Sequence, residues 1–104
     1  MQILVHPDST VHGGPELTAE IEAVVDGALR RFRDQITRVE IHLSDENRRK
    51  GGANDKRCAL EVRPKGLQPI TVTHQAATLV LAAAGASEKV KKALESTIGR
   101  LRDR

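Results

Sequence analysis

The chain is almost without aromatic side chains: Phe32 is the only one, and tyrosine and tryptophan are absent. Proteins that read single-stranded RNA by sequence usually stack the bases on aromatic rings, so this mode of recognition is nearly unavailable to the chain. The core must instead be built from aliphatic side chains. We therefore expect any nucleic-acid binding to depend on phosphate contacts and shape, and to weaken as the salt concentration rises.

The features of secreted and membrane proteins are also missing. The single cysteine, Cys58, cannot form an internal disulfide, which fits a reducing compartment. No apolar run approaches the roughly 20 residues that a membrane-spanning helix needs. The first residues, MQILVHPD, lack the basic and apolar segments of a signal peptide. We expect a soluble, cytoplasmic protein without a membrane partner, and its 104 residues predict a single domain over residues 1–104.

Positive charge is concentrated in the second half of the chain. Residues 1–47 hold 4 Lys/Arg against 9 Asp/Glu, a net charge of −5, whereas residues 48–104 hold 13 against 5, a net charge of +8. The densest stretch is RRKGGANDKR, which contains Arg48, Arg49, Lys50, Lys56 and Arg57. Five cations on a glycine-containing loop suit a polyanion better than a small apolar ligand, and a solvated hairpin tip is the ordinary alternative.

Hydrophobic periodicity predicts the order β-α-β-β-β-α, an α+β fold with a four-stranded mixed sheet. The expected strands are Gln2–His6, Ile36–Leu43, Arg57–Lys65 and Pro69–His74, and the expected helices run from Pro15 to about Phe32 and from about Ala76 to Leu101. A right-handed crossover makes the first two strands parallel, and short connections make the later pairs antiparallel. Each helix has a single apolar stripe, so both helices should pack on one face of the sheet.

The same periodicities predict which side chains face the core. In the first helix these are Leu17, Ile21, Val24, Ala28 and Phe32; in the second strand Thr37, Val39, Ile41 and Leu43; and in the third Cys58, Leu60 and Val62. The last helix turns Leu81 and Ala84 away from its core stripe. We expect a monomer, with a weak homodimer through Leu81 and Ala84 as the alternative.

No catalytic or metal-binding signature stands out. The chain has no Ser-His-Asp order or glycine elbow, and its KGG stretch lacks the spacing of a phosphate-binding loop. His6 and His42 become neighbours if the first two strands pair in parallel, but neither His-x-x-x-His nor Cys-x-x-Cys spacing is present. We therefore expect no enzyme, no cofactor and no metal site, and we interpret Cys58 as a small core side chain.

The element order and three stretches of sequence together resemble a known family. The stretches are ITRVEIHLSDEN, KRCALEVRPKGLQPITVTHQAATL and KVKKALESTIGRL. In this combination the chain resembles, over essentially its whole length, the short form of the ribosome hibernation-promoting and ribosome-associated inhibitor family, also labelled sigma-factor modulation proteins. The resemblance implies a non-enzymatic stress-response factor that binds small-subunit rRNA in the channel for mRNA and tRNA, inhibits translation and stabilises idle ribosomes. It does not imply DNA as a partner.

Basic side chains at two places are the candidates for rRNA contact. The loop and its flanks contribute Arg48, Arg49, Lys50, Lys56 and Arg57, and the last helix contributes Lys89, Lys92 and Arg100. That helix departs from the family pattern, because Glu95 and Ser96 stand where further basic residues would be expected. The departure leaves an alternative open, a protein-interaction module of the same fold that has lost strong rRNA binding.

Overall fold

The computed structural model describes residues 1–46 and 55–102, with no side chains described for residues 100–102. The elements are β1 (Gln2–Pro7), α1 (Gly14–Ala28), a 3-10 helix (Arg30–Gln35), β2 (Ile36–Asp45), β3 (Lys56–Pro64), β4 (Ile70–Ala76) and α2 (Leu79–Arg102). The sheet has the order β1-β2-β3-β4, with β1 and β2 parallel and the other pairs antiparallel. The predicted α+β fold with the order β-α-β-β-β-α is confirmed.

The core lies between one face of the sheet and the two helices. Alternate side chains of β2 and β3 are buried there, namely Val39, Ile41, Leu43, Cys58, Leu60 and Val62. The helical side of the core is made by Ile21, Val25, Leu29, Ala82, Ala83, Ala86, Val90 and Leu94. The alanines of α2 allow it to lie close to β3 and β4, while α1 packs against α2 and β1. Both helices therefore cover one face, as expected, and the other face of the sheet stays open.

The inward stripe of the first helix differs from the prediction by one residue. The fully buried positions are Ile21 and Val25, followed by Leu29 at the end of α1, whereas Val24 and Ala28 are only half-buried. The helix also ends at Ala28, and Phe32 reaches the core from the 3-10 helix, where its N–H bonds to the Leu29 carbonyl at 2.9 Å. The predicted helix extended too far because it continued one α-helical period through a change to the tighter 3-10 winding.

The prediction of which β2 side chains face the core is wrong at its first residue, Thr37. Ile36 is buried and Thr37 is exposed, although strict alternation with Val39 predicts the reverse. The pairing of β2 with β3 shifts register between Ile36 and Arg38, which inverts the alternation at this point. The Thr37 hydroxyl donates a hydrogen bond to the Arg63 carbonyl at 2.9 Å instead of facing the core. From Val39 onward, the predicted side chains are the buried ones.

The start of α2 is set by a side-chain cap. Thr78 Oγ1 accepts a hydrogen bond from the Leu81 N–H at 3.1 Å, and the helix begins at Leu79 rather than near Ala76 because β4 continues to Ala76. Further along, α2 passes so close to β4 that a Cβ at Gly85 would meet the His74 ring, 2.6 Å from Cγ and nearer to other ring atoms. Among the described residues, no helix is long and apolar enough to cross a membrane.

Candidate nucleic-acid interface

The hairpin of β2 and β3 fixes where the basic loop leaves the sheet. Asp45 is the register partner of Lys56, and one step further the Glu46 N–H donates to the Asp55 carbonyl at 2.9 Å. The predicted contact residues Arg48, Arg49 and Lys50 follow Glu46 in the chain and lie outside the described residues. The described pairing of the two strands thus ends at the hydrogen bond between Glu46 and Asp55.

The two predicted contact residues at the hairpin base already have acidic partners. Lys56 Nζ lies 2.9 Å from Asp55 Oδ1 and 3.3 Å from Asp45 Oδ2. The hydrogen bond to Asp55 raises the pKa of Lys56 by more than desolvation lowers it, and Asp45 adds to the rise. Arg57 Nε lies 3.7 Å from Glu46 Oε1. A phosphate that binds either cation must therefore compete with a carboxylate of the same hairpin.

The predicted contact residues on α2 lie on the flank of the helix nearest β4. Lys89 Nζ donates to the Thr73 carbonyl at 2.7 Å, so this lysine covers part of the outer edge of the sheet. Lys92, three residues further and on the same side of the helix, is exposed. Arg100 belongs to α2, but its side chain lies outside the described residues.

The acidic side chains of α2 that lie near Lys92 in the sequence are paired with other cations. Glu95 Oε1 lies 2.8 Å from Arg31 Nη2 in the 3-10 helix, and Glu88 Oε2 lies 3.2 Å from Lys91 Nζ. Since Arg31 comes from the segment that follows α1, Glu95 faces away from the β4 side where Lys89 lies. Lys92 stands four residues after Glu88 and three before Glu95, so the exposed surface of α2 mixes charges of both signs around the predicted contact residues.

The residues predicted for a weak homodimer form only a small apolar patch. Leu81 is 55% exposed, whereas Ala84 is half-buried. Leu81 is the exposed large hydrophobic residue of the described chain. Neither a monomer nor a dimer is tested by this arrangement, and the weak dimer stays a prediction.

The open face of the sheet brings together a side-chain cluster that sequence analysis anticipated only in part. His6 and His42 are register partners in parallel strands, and their rings stack with centroids 4.8 Å apart and planes 21° from parallel. Glu40 projects from the same face two residues before His42, with its Oε1 3.1 Å from His6 Nε2. Sequence analysis missed Glu40 because it looked for the helical spacing of metal ligands. The strand spacing Glu-x-His would have revealed it.

The carboxyl of Glu40 is held in its charged form by its neighbours. Partial desolvation raises its pKa, but the hydrogen bond from His6 and the positive charges of Arg38 and Arg63 outweigh it, so the pKa lies below its usual value. Arg38 Nη2 lies 3.4 Å from Oε2, the oxygen that His6 does not use. The two oxygens of Glu40 therefore serve different partners.

Comparison with known proteins adds information at the level of structure. Neither a protein-family profile nor a curated protein sequence matches the chain. The N-terminal domain of Protein Y from Thermus thermophilus matches with a TM-score of 0.72 and 16% identity, covering 93% of this chain and 99% of that chain. A ribosomal subunit interface protein from Coxiella burnetii matches with a TM-score of 0.67 and 17% identity, covering 100% of both chains.

This chain has the fold of those two proteins. Both are members of the hibernation-promoting factor family, so the structural comparison agrees with the resemblance found in the sequence. At 16% and 17% identity, the likeness establishes the fold alone.

Proposed function

We propose that the protein is a non-enzymatic factor that binds the small ribosomal subunit in the channel for mRNA and tRNA. There it contacts rRNA, inhibits translation and stabilises idle ribosomes. The observation that supports this proposal is the fold shared with Protein Y and with a protein named for the ribosomal subunit interface. In the sequence of this chain, the densest run of positive charge lies between β2 and β3.

The chemistry of binding follows from the scarcity of aromatic side chains. Phe32 is buried in the core, so no phenylalanine, tyrosine or tryptophan ring is available at the surface for base stacking. Affinity must then come from cations that neutralise phosphates and release counterions. This contribution to the binding free energy depends on charge and position rather than on base identity. A factor that occupies a channel used by many different RNAs needs this kind of recognition.

The loop cations are expected to contribute most. Lys56 and Arg57 are already compensated by carboxylates, and Lys89 is bonded to a backbone carbonyl. Arg48, Arg49 and Lys50 follow Asn47 in the sequence, with no acidic residue among the three. Each phosphate contact steepens the salt dependence of log K by about 0.9 on duplex and about 0.7 on single strands, so these three residues should contribute a slope of about 2 to 3.

The test is co-sedimentation with small ribosomal subunits across a salt series, with mRNA and tRNA as competitors. The variant Arg48→Ala/Arg49→Ala/Lys50→Ala should bind more weakly and lose about 2 to 3 from the slope of log K against log salt. The matched control is Arg30→Ala/Arg33→Ala/Lys65→Ala, which removes the same charge from exposed positions at the opposite end of β2 and β3. Equal slopes for the two variants would remove the loop from the proposal, and failure of the wild type to bind at low salt would overturn it.

A second candidate, the protein-interaction module, is favoured by the internal pairing of basic residues. The ion pairs of Lys56, Arg57, Lys91 and Arg31 show that much of the positive charge is already satisfied within the chain. This candidate predicts an acidic or apolar protein partner and little affinity for RNA. The same sedimentation series separates the two, because only the ribosome-binding factor pellets with subunits at low salt and is displaced by mRNA or tRNA.

A further inference from the structure

The open face of the sheet holds three potential metal ligands on two adjacent strands. Residues two apart on a strand project from the same face, so Glu40 and His42 stand side by side on β2. The parallel partner strand places His6 in register with His42. The ligand atoms of the three side chains all lie within 4.8 Å of one another. The pairing of β1 with β2 thus brings two imidazoles and one carboxylate together.

The distances fit a tetrahedral site after a small adjustment. Bonds of about 2.0 to 2.2 Å from zinc to nitrogen or oxygen place neighbouring ligand atoms about 3.3 Å apart. His6 Nε2 and Glu40 Oε1 are already at 3.1 Å. His42 has to approach by about 1.5 Å at most, which rotation of an exposed ring provides. We propose that His6, Glu40 and His42 bind a divalent transition-metal ion of the zinc class, with water or a partner's group as the fourth ligand.

The chemistry of the three ligand atoms determines which class of ion suits the site. Two imidazole nitrogens and one carboxylate oxygen suit zinc, copper or nickel, whereas magnesium and calcium prefer oxygen ligands alone. Cys58 is excluded as a further ligand, because it is buried on the opposite face of the sheet and burial raises its pKa to about 11. The proposal replaces the sequence-based expectation of no metal site and is independent of the ribosome-binding proposal.

The surroundings of the cluster leave room for an ion but limit its affinity. Arg38 occupies Oε2 of Glu40, and the ion would replace the proton now shared between His6 Nε2 and Glu40 Oε1, while Arg63 is drawn to Glu61 Oε1 at 3.3 Å. Glu61 is the register partner of Glu40 and offsets part of the positive charge of the two arginines. Across the sheet, the partner of His42 is Ala59, whose small side chain leaves space for the fourth ligand.

A bound ion would cross-link β1, which is an edge strand of the sheet, to β2. An ion that binds the folded chain and not the unfolded one raises the melting temperature in proportion to its binding free energy. Metal binding should therefore be visible both as a stoichiometric complex and as a thermal shift. The thermal shift would not accompany an ion that binds the folded and unfolded chains equally.

The test is a titration of the full chain with zinc chloride against a chromophoric zinc chelator, near neutral pH where imidazole is largely neutral. The wild type should bind one zinc per chain. Loss of even an outer partner of a metal site weakens binding by about 10- to 100-fold, so His42→Ala and Glu40→Gln should weaken it at least as much. His12→Ala, which removes an exposed histidine from the loop before α1, is the control and should bind as the wild type does.

Thermal unfolding with and without zinc supplies the second readout. The melting temperature of the wild type and of His12→Ala should rise with zinc, while that of His42→Ala should not, and circular dichroism without metal verifies that each variant is folded. Unchanged zinc affinity in both His42→Ala and Glu40→Gln would overturn the proposal. So would a wild type that binds no zinc at millimolar concentration.

Discussion

Replacement of Gly85 by alanine tests how closely α2 lies on the sheet. Glycine in the middle of a helix normally costs about 0.5 to 1 kcal/mol relative to alanine, so this substitution would stabilise a helix whose surface is free at that point. At Gly85, however, the added methyl group would overlap the His74 ring, with its Cβ 2.6 Å from Cγ. Because real Cβ contacts do not approach so closely, either the ring or the helix must move.

The net effect follows from two opposing contributions. Forcing an extra methyl group into a packed site typically costs about 1 to 3 kcal/mol, from which the helical gain of about 0.5 to 1 kcal/mol must be subtracted. We expect Gly85→Ala to lower the free energy of unfolding by up to about 2.5 kcal/mol, with a central value of about 1 kcal/mol. For a domain of this size, the central value corresponds to a fall in melting temperature of about 4 to 8 °C.

The assay is chemical and thermal unfolding of Gly85→Ala beside two controls. Gly27→Ala in α1 and Gly99→Ala in α2 meet nothing within 4 Å and should stabilise or leave stability unchanged. In a His74→Ala background, Gly85→Ala should change from destabilising to neutral or stabilising, because the overlapping ring is gone. A stabilising Gly85→Ala in the wild type, or equal effects in the two backgrounds, would refute the close contact.

Two further predictions concern Cys58 and Lys56. Burial raises the pKa of the Cys58 thiol to about 11, so a thiol reagent at pH 8 should react with the folded protein far more slowly than with the unfolded one. Between about pH 9 and 11 the folded state keeps a proton that the unfolded state has lost, so stability should fall as pH rises through that window, and less steeply for Cys58→Ala. Rapid reaction of the folded protein would contradict the burial of this thiol. Lys56→Met removes the cation shared by Asp45 and Asp55, and should lower the melting temperature more than Lys92→Met at an exposed position. The difference should shrink in high salt, and equal losses would show that the shared ion pairs do not stabilise the hairpin.

The alternation of apolar and polar residues correctly predicted the buried side chains where a strand pairs regularly with its neighbours. In β3, Cys58, Leu60 and Val62 are buried as predicted, because the strand pairs regularly with both neighbours and has one face on the core. At the start of β2 the prediction failed, since the register shift between Ile36 and Arg38 arises from the pairing with β3 and leaves no mark in the sequence of β2.

The first helix shows a different limit. Val24 and Val25 are adjacent apolar residues, and so are Ala28 and Leu29, so two overlapping stripes fit the same sequence. A helical period cannot choose between them, because each stripe alone satisfies the spacing of an amphipathic helix. Packing against α2 and the sheet makes the choice and buries Val25 and Leu29.

The candidate sites were predictable to the extent that they depend on strand pairing. The proximity of His6 to His42 followed from the parallel pairing of the first two strands, and the structure confirms that the two residues are neighbours. The contact of His74 with Gly85 could not be predicted, because it depends on where α2 crosses β4 rather than on any spacing in the chain. The ion pairs of Lys56 likewise required the hairpin register, which joins Asp45 to Lys56.

The acidic residues at the hairpin base bear on how selective the proposed rRNA contact would be. Asp45, Glu46 and Asp55 surround the point where the loop leaves the sheet and neutralise Lys56 and Arg57. A polyanion approaching the base of the hairpin therefore meets little net positive charge, and the proposed contact depends on the three consecutive cations Arg48 to Lys50 of the sequence. If Arg48 to Lys50 carry the rRNA contact, the pairing at the base limits binding elsewhere on the hairpin without abolishing it. If their alanine variant binds subunits as the wild type does, the same pairing favours the protein-interaction module, so the sedimentation series with that variant decides between the two.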